Sequence, residues 1–254
     1  MITEAFAAEA GAPKLDPLHH FTVEPIIPIH IFGVDLSISN SVIWMWLAVA
    51  AAYGFFRFCF GTPSLVPGRA QSMGEMLYGF VYGIVKETIG KEGEKFFPYI
   101  LSLFFFVLFC NWLGLIPFSF TPTSQIIVTG TLAMAVFIIS TAIGFIRHGL
   151  HFFHFFVPSG VPAVLLPLIV PIELISYLAR PVSLSVRLFA NMTAGHTIIA
   201  TMLFFTVSLP WFGSWLPFSF AILISGAELF IGAIQAYIFT VLTCVYINDA
   251  IHMH

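Results

Sequence analysis

The chain has 254 residues, of which 9 are Lys or Arg and 12 are Asp or Glu, so charged side chains make up 8% of it, against about a quarter in soluble domains. With 59% hydrophobic residues, 30 Phe and a mean hydropathy of +1.00, a water-soluble fold would expose aggregating apolar patches, which excludes an ordinary soluble domain and points to a chain embedded in a lipid bilayer. A net charge of −3 without long basic runs excludes nucleic acid as a partner.

Residues 1–40 contain Pro13, Pro17, Pro25 and Pro28 but no basic stretch followed by an apolar run, so they read as a retained, irregular N-terminal segment and not as a cleaved signal peptide. Residues 41–254 read as a single helical membrane domain. Ser41 to Phe60 is the first apolar run of the roughly 20 residues that cross a hydrocarbon core of about 30 Å. Between Gly61 and Lys95, Arg69, Glu75, Lys86, Glu87, Lys91, Glu92 and Glu94 interrupt apolar residues at helical spacing (Met73, Met76, Leu77, Phe80, Val81, Ile84). That pattern predicts an amphipathic helix on the membrane surface.

Phe96 to Pro117 and Ile126 to Phe145 predict a helical hairpin closed by a turn with Pro122 and no Lys or Arg. The following HGLHFFHFFVPSGVP is an aromatic connector in which Pro158, Gly160 and Pro162 break the helix. His148, His151 and His154 share its spacing of three, which could suggest a metal or haem site; the interfacial aromatic setting and the lack of a Cys or carboxylate cluster favour membrane anchoring instead. Leu165 to Leu209 and Phe218 to about His252 are the last apolar runs, joined by the turn Pro210 to Pro217. Measured as helices, Val182–Leu209 and Phe218–Ile251 would be roughly 42 and 51 Å long, which predicts strong tilt. The fold class is therefore all-α integral membrane, with five crossings and one surface helix. Cys59, Cys110 and Cys244 lie in apolar stretches without a CxxC pair and read as small core residues.

Lys and Arg concentrate on the cytoplasmic side of membrane proteins. Arg57, Arg69, Lys86, Lys91, Lys95 and Arg147 all fall on one side of this topology, and the turns Phe118–Gln125 and Pro210–Pro217 hold no basic residue. The N-terminus is expected outside and the C-terminus in the cytoplasm; the lack of a transit-like presequence favours a bacterial inner membrane.

Glu173, Arg180, Arg187, His196 and Glu228 interrupt apolar runs, where a central charge costs roughly 2.5–3.5 kcal/mol on insertion scales. At about 100° per residue, Glu173, Ser176, Arg180, Ser183, Arg187 and Asn191 form one stripe if Pro181 only kinks the helix. His196 looks the opposite way, as two separate polar routes through one helix would require. Glu228 and Gln235 are seven residues apart on the last helix and share a face. Arg187 lies too deep in its run to reach a headgroup, and His196 with Glu228 suits a proton relay. Ser176, Ser183, Thr193 and Thr197 read as interhelical hydrogen-bond glue. Arg180 is open between structural pairing and function, as are Glu173 and Asn191. No phosphate-cradling loop or nucleophile elbow occurs, so nothing calls for a cofactor or for hydrolytic chemistry in this chain.

PVSLSVRLFANMTAGH (Pro181 to His196), AELFIGAIQAYIFTVLTCVYI (Ala227 to Ile247) and NWLGLIP (Asn111 to Pro117) resemble the a subunit of F-type ATP synthases. The resemblance covers most of the chain beyond the N-terminal forty residues. It maps the family's functional arginine onto Arg187, its neighbouring asparagine onto Asn191 and its last-helix glutamine onto Gln235. Family members exchange the helices carrying the histidine and its acidic partner; here the arrangement is His196 with Glu228. The resemblance implies a non-catalytic, proton-translocating stator. Its partners would be a rotating ring of c subunits bearing membrane carboxylates, peripheral-stalk b subunits and the rest of the complex. It assigns His196, Glu228, Asn191 and Gln235 to an outer half-channel and Glu173 to an inner one. Two other readings compete: a secondary transporter with an intramembrane proton relay, its helix broken at Pro162, Pro167 and Pro171, and a purely structural membrane subunit.

Overall fold

A computed structural model of the chain describes residues 25–28, 30–31, 34–35, 37–61, 64, 66–116, 119–149, 152, 165–210 and 212–252. Residues 1–24 and most of the 150–164 connector, including His151, His154, Pro158, Gly160 and Pro162, lie outside the described residues. The described part of the N-terminal segment departs from the irregular chain expected there. Strand β1 (Pro25–Ile27) pairs antiparallel with β4 (Ile38–Ser39), and β2 (His30–Ile31) with β3 (Val34–Asp35), between them. Ladders of two or three residues carry almost no periodic signal, and the prolines of this segment masked them.

Six α-helices follow: α1 (Asn40–Phe60), α2 (Arg69–Thr88), α3 (Phe97–Gly114), α4 (Ile126–His148), α5 (Leu166–Ser208) and α6 (Trp215–Ile251). Five of them, all but α2, are long and apolar enough to cross a membrane. The chain is an all-α, multi-pass membrane protein. Helix α2 is amphipathic: Val81 and Val85 are buried while Arg69, Glu75, Lys86 and Glu87 are not. Gly90, at φ +81°, ends its last turn and leads into the 3-10 segment Gly90–Lys95; Gly149, at φ +56°, ends α4 in the same way. Both positions need the left-handed backbone that glycine adopts without strain.

Helix α5 departs from the expected break. It runs unbroken for 43 residues with Pro167 in its first turn and Pro171 and Pro181 inside. The two internal prolines remove only the bonds to the carbonyls four residues before them, a local loss that membrane helices tolerate. At about 1.5 Å per residue α5 is about 65 Å long and α6, with 37 residues, about 56 Å, so both must tilt or run into the interfaces.

Lipid is as apolar as leucine, so close packing, not the hydrophobic effect, holds such helices together. Helix α3 is the centre: 56% of its apolar window is buried, against 11% for α1 and α5. Phe105 of α3 meets Phe56 of α1 with ring centroids 4.7 Å apart, and Phe55 and Phe109 extend the cluster. Small residues set the closest approaches. A β-carbon on Gly74 would strike Cys59 and Phe60 of α1, and one on Gly232 of α6 would press against Asn111 of α3. Cys59, Cys110 and Cys244 are free and buried, as core residues should be.

At the end of the bundle that holds the basic residues, Arg147 at the close of α4 forms an ion pair with Glu92 of the 3-10 segment, one of its two hydrogen bonds measuring 2.8 Å. Tyr82 donates to Glu94 at 3.0 Å, and His148 Nε2 lies 3.2 Å from the carbonyl of Ile251. The bonds from Arg147 hold the Glu92 carboxyl below its ordinary value of 4.5, so the contribution of this clasp is complete above that value and is lost as pH falls through the lower folded-state value. Thermal unfolding of Glu92→Gln should begin below wild type at pH 7, with the difference shrinking in acid below pH 4.5 and in high salt, because both groups are exposed.

Candidate functional site

The candidate site is built at the end of the bundle away from the basic residues, where α3 turns back into α4. Asn111, fully buried, donates from Nδ2 to the Gly232 carbonyl of α6 at 3.0 Å and accepts from Thr123 at 2.8 Å. Trp112 Nε1 donates to the Leu229 carbonyl at 3.2 Å. The NWLGLIP stretch thus grips α6 just beyond Glu228. Ser119 donates to the Gly114 carbonyl at 2.8 Å, Ser124 Oγ to the Thr121 carbonyl at 2.7 Å, and Thr121–Ser124 are buried. The segment read as an outer turn is folded into the bundle against α5, with Ser124 satisfying a carbonyl within it and Ser119 one at the end of α3.

Into this corner α5 and α6 each bring one ionisable group. His196 Nε2 lies 2.9 Å from Thr121 Oγ1 and 3.9 Å from Glu228 Oε1. Glu228 is 2% exposed, and neither carboxyl oxygen has a hydrogen-bond partner among the described residues. Gly195 makes room for it: a β-carbon there would collide with the Glu228 carboxyl. Gln235, two turns further along α6, is buried as well. A buried polar group without a partner is costly, so this carboxyl is set for an exchangeable proton, a water or the neighbouring imidazole.

Arg187 sits on the opposite side of α5 from His196, nine residues and about 13.5 Å earlier along the axis. Its side chain is exposed and has no ion-pair partner among the described residues. Its neighbours along the chain, Val182 at 61% and Val186 at 44% exposure, are apolar but lie about 140° and 100° round the helix from it. Ser183 is exposed too, and Glu173 and Asn191 are half-buried on the same stripe. The expected separation of stripe and histidine holds, while Asn191, on the stripe, is on a different face from His196, to which the resemblance joined it.

Arg180 resolves as a structural pair. It donates to Asp249 Oδ2 of α6 at 2.8 Å, its guanidinium stacking 5.5 Å from the Tyr177 ring and 5.3 Å from the Tyr246 ring. Tyr177 in turn shares a 2.6 Å hydrogen bond with Thr141 of α4. Asp249 escaped the sequence reading because it lies at the last turn of its helix, where a charge is unremarkable. Counting from His196 opposite Glu228 brings Arg180, sixteen residues back, opposite residue 244, one to two turns short of Asp249, so the count gives only the neighbourhood of the partner. Among the described residues there is no cluster able to hold a metal ion.

The family model described as ATP synthase A chain matches residues 42–248. Relatives named ATP synthase subunit a are 60% identical over 252 residues in Magnetococcus marinus, covering 98% of this chain and 97% of the relative. One from Rhodospirillum rubrum is 50% identical over 238 residues, covering 94% and 99%, and one from Rhizobium etli is 49% identical over 245, covering 93% and 97%. The chain belongs to the ATP synthase A chain family. It is therefore a multi-pass membrane subunit of an ATP synthase, and the transporter reading, already weakened by the unbroken α5, gives way to it.

Asp249→Ala should lower the unfolding midpoint by roughly 2–4 °C, as loss of about 1 kcal/mol of charge-assisted hydrogen bonding does in a chain of this size. Arg180→Ala with Asp249→Ala should lose less than the sum of the singles; strict additivity in calorimetry would show that the pair does not couple.

Proposed function

We propose that the chain is the proton-translocating stator of an F-type ATP synthase, with Arg187 facing the carboxylates of a rotating c-ring. The observation that carries this reading is the exposed Arg187, deep in an apolar run and without an ion-pair partner among the described residues. A charge there costs several kcal/mol unless a partner meets it. A ring whose subunits present carboxylates in turn would supply that partner.

Arginine keeps its proton at any ordinary pH, so Arg187 is a fixed cation favouring the ionised form of a carboxylate beside it. A ring carboxylate loses its proton on reaching Arg187 and takes one up after leaving. The guanidinium fork exchanges partners without losing charge, and the same charge repels protons that would leak straight across. Two offset half-channels then make rotation the only route. The outer one runs through His196 and Glu228, with Gln235 and Asn191 toward the ring, and the inner one passes Glu173. The opposed faces of α5 support this, since one face carries the relay pair and the other the arginine.

In this reading residues 41–254 act as one helical domain, and the 1–40 segment lies outside the inner membrane of a bacterium. The basic end faces the cytoplasm with the C-terminus, and peripheral-stalk b subunits hold the chain against the torque of the ring. The chain itself catalyses no bond change; coupling is its task.

Inverted vesicles carrying the whole complex test the proposal. Arg187→Ala should abolish proton-driven ATP synthesis and Arg187→Lys should retain little, since lysine keeps the charge without the fork. Near-normal synthesis with Arg187→Ala would contradict the mechanism.

A further inference from the structure

The imidazole of His196 does not rest on Glu228. Its Nε2 is 1 Å nearer to Thr121, at 2.9 Å against 3.9 Å. Only the first distance is a hydrogen bond. Thr121 is 5% exposed, and its placement is built with care. Its carbonyl accepts from both the backbone and the hydroxyl of Ser124, at 3.1 and 2.7 Å. Its side chain fills the space that a β-carbon on Gly114 would need. These contacts fix the hydroxyl at the one nitrogen of His196 that faces Glu228.

We infer that Thr121 is the third member of the outer proton route, positioning His196 Nε2 and passing protons to it through its hydroxyl. This rests on the route through His196 and Glu228 proposed above. The transfer balances without any further reactant. A hydronium ion gives a proton to the Thr121 oxygen while the hydroxyl's own proton moves to Nε2, leaving water, an intact hydroxyl and an imidazolium. A ring movement of about 1 Å then brings Nε2–H within hydrogen-bond reach of Glu228, whose carboxylate takes the proton and leaves a neutral imidazole. The ring returns to Thr121, and the cycle can repeat. A hydroxyl suits this place because its one oxygen donates and accepts at once, whereas a methyl can do neither.

Two substitutions separate this role from packing. Thr121→Val keeps the branched shape against Gly114 and removes the hydroxyl; Thr121→Ser keeps the hydroxyl and removes the methyl. In vesicles carrying the assembled complex, with the chain's abundance checked by immunoblot, proton conduction should fall by at least about tenfold in Thr121→Val and stay within about twofold of wild type in Thr121→Ser, the scale of a positioned proton-transfer group. Thr121→Val combined with His196→Ala should conduct no worse than His196→Ala alone. The opposite pattern, with Thr121→Ser impaired and Thr121→Val normal, would assign the residue to packing and overturn the inference, as would equal losses in both. Normal conduction in Thr121→Val beside a defective His196→Ala would remove Thr121 and leave the route standing. Normal conduction in His196→Ala would remove the route itself, and Thr121 with it.

Discussion

An ionisable side chain at bilayer depth is costly unless a partner answers it, and the groups of this chain are answered in different ways. The three answers differ. Arg180 is answered within the chain, by Asp249 and two tyrosine rings. Glu228 is answered only in part, by an imidazole near enough to exchange a proton but not hydrogen-bonded to it. Arg187 is exposed on the polar stripe of α5, with no ion-pair partner among the described residues. The first is architecture, the second fits a relay, and the third calls for a partner outside the chain.

The helical repeat turns these separate answers into a device. Nine residues at about 100° each bring a side chain half a turn round, so Arg187 and His196 look away from each other through one helix. A proton at the histidine therefore has no straight path to the opposite membrane face along α5. The buried ladder of α3 against α6 makes the arrangement rigid. Asn111 and Trp112 bond to backbone carbonyls that flank Glu228 within four residues, which ties the depth of that carboxyl to the end of α3. The Arg180–Asp249 pair in turn ties α5 to the last turn of α6.

Much of this was legible in the sequence. All five spans are present within a few residues of their expected limits, since runs of about 20 apolar residues leave little choice in a bilayer, and the amphipathic helix lies inside its expected stretch. The juxtaposition of His196 and Glu228 follows from counting outward from the Pro210–Pro217 turn, and the opposed stripe from the 3.6-residue period. Less local features escaped. Pro171 looked like a break and is not, because the rest of the helix outlasts one lost hydrogen bond. The burial of the turn around Thr121 has no signal in the sequence, since nothing there tells that Ser119 bonds the Gly114 carbonyl and Ser124 the Thr121 carbonyl. Asp249 looked like the charged end of a helix until Arg180 was found beside it.

The central claim is that the Arg187 face of α5 meets a ring of carboxylates. Disulfide cross-linking in the assembled complex addresses it most directly. Ser183→Cys, one turn before Arg187 on the same face and exposed, and Trp46→Cys on α1, exposed at 62%, would each be oxidised against a ring subunit carrying a single cysteine beside its membrane carboxylate. The account predicts cross-linked product from Ser183→Cys and none from Trp46→Cys; product from Trp46→Cys alone would place the ring on another face and contradict it.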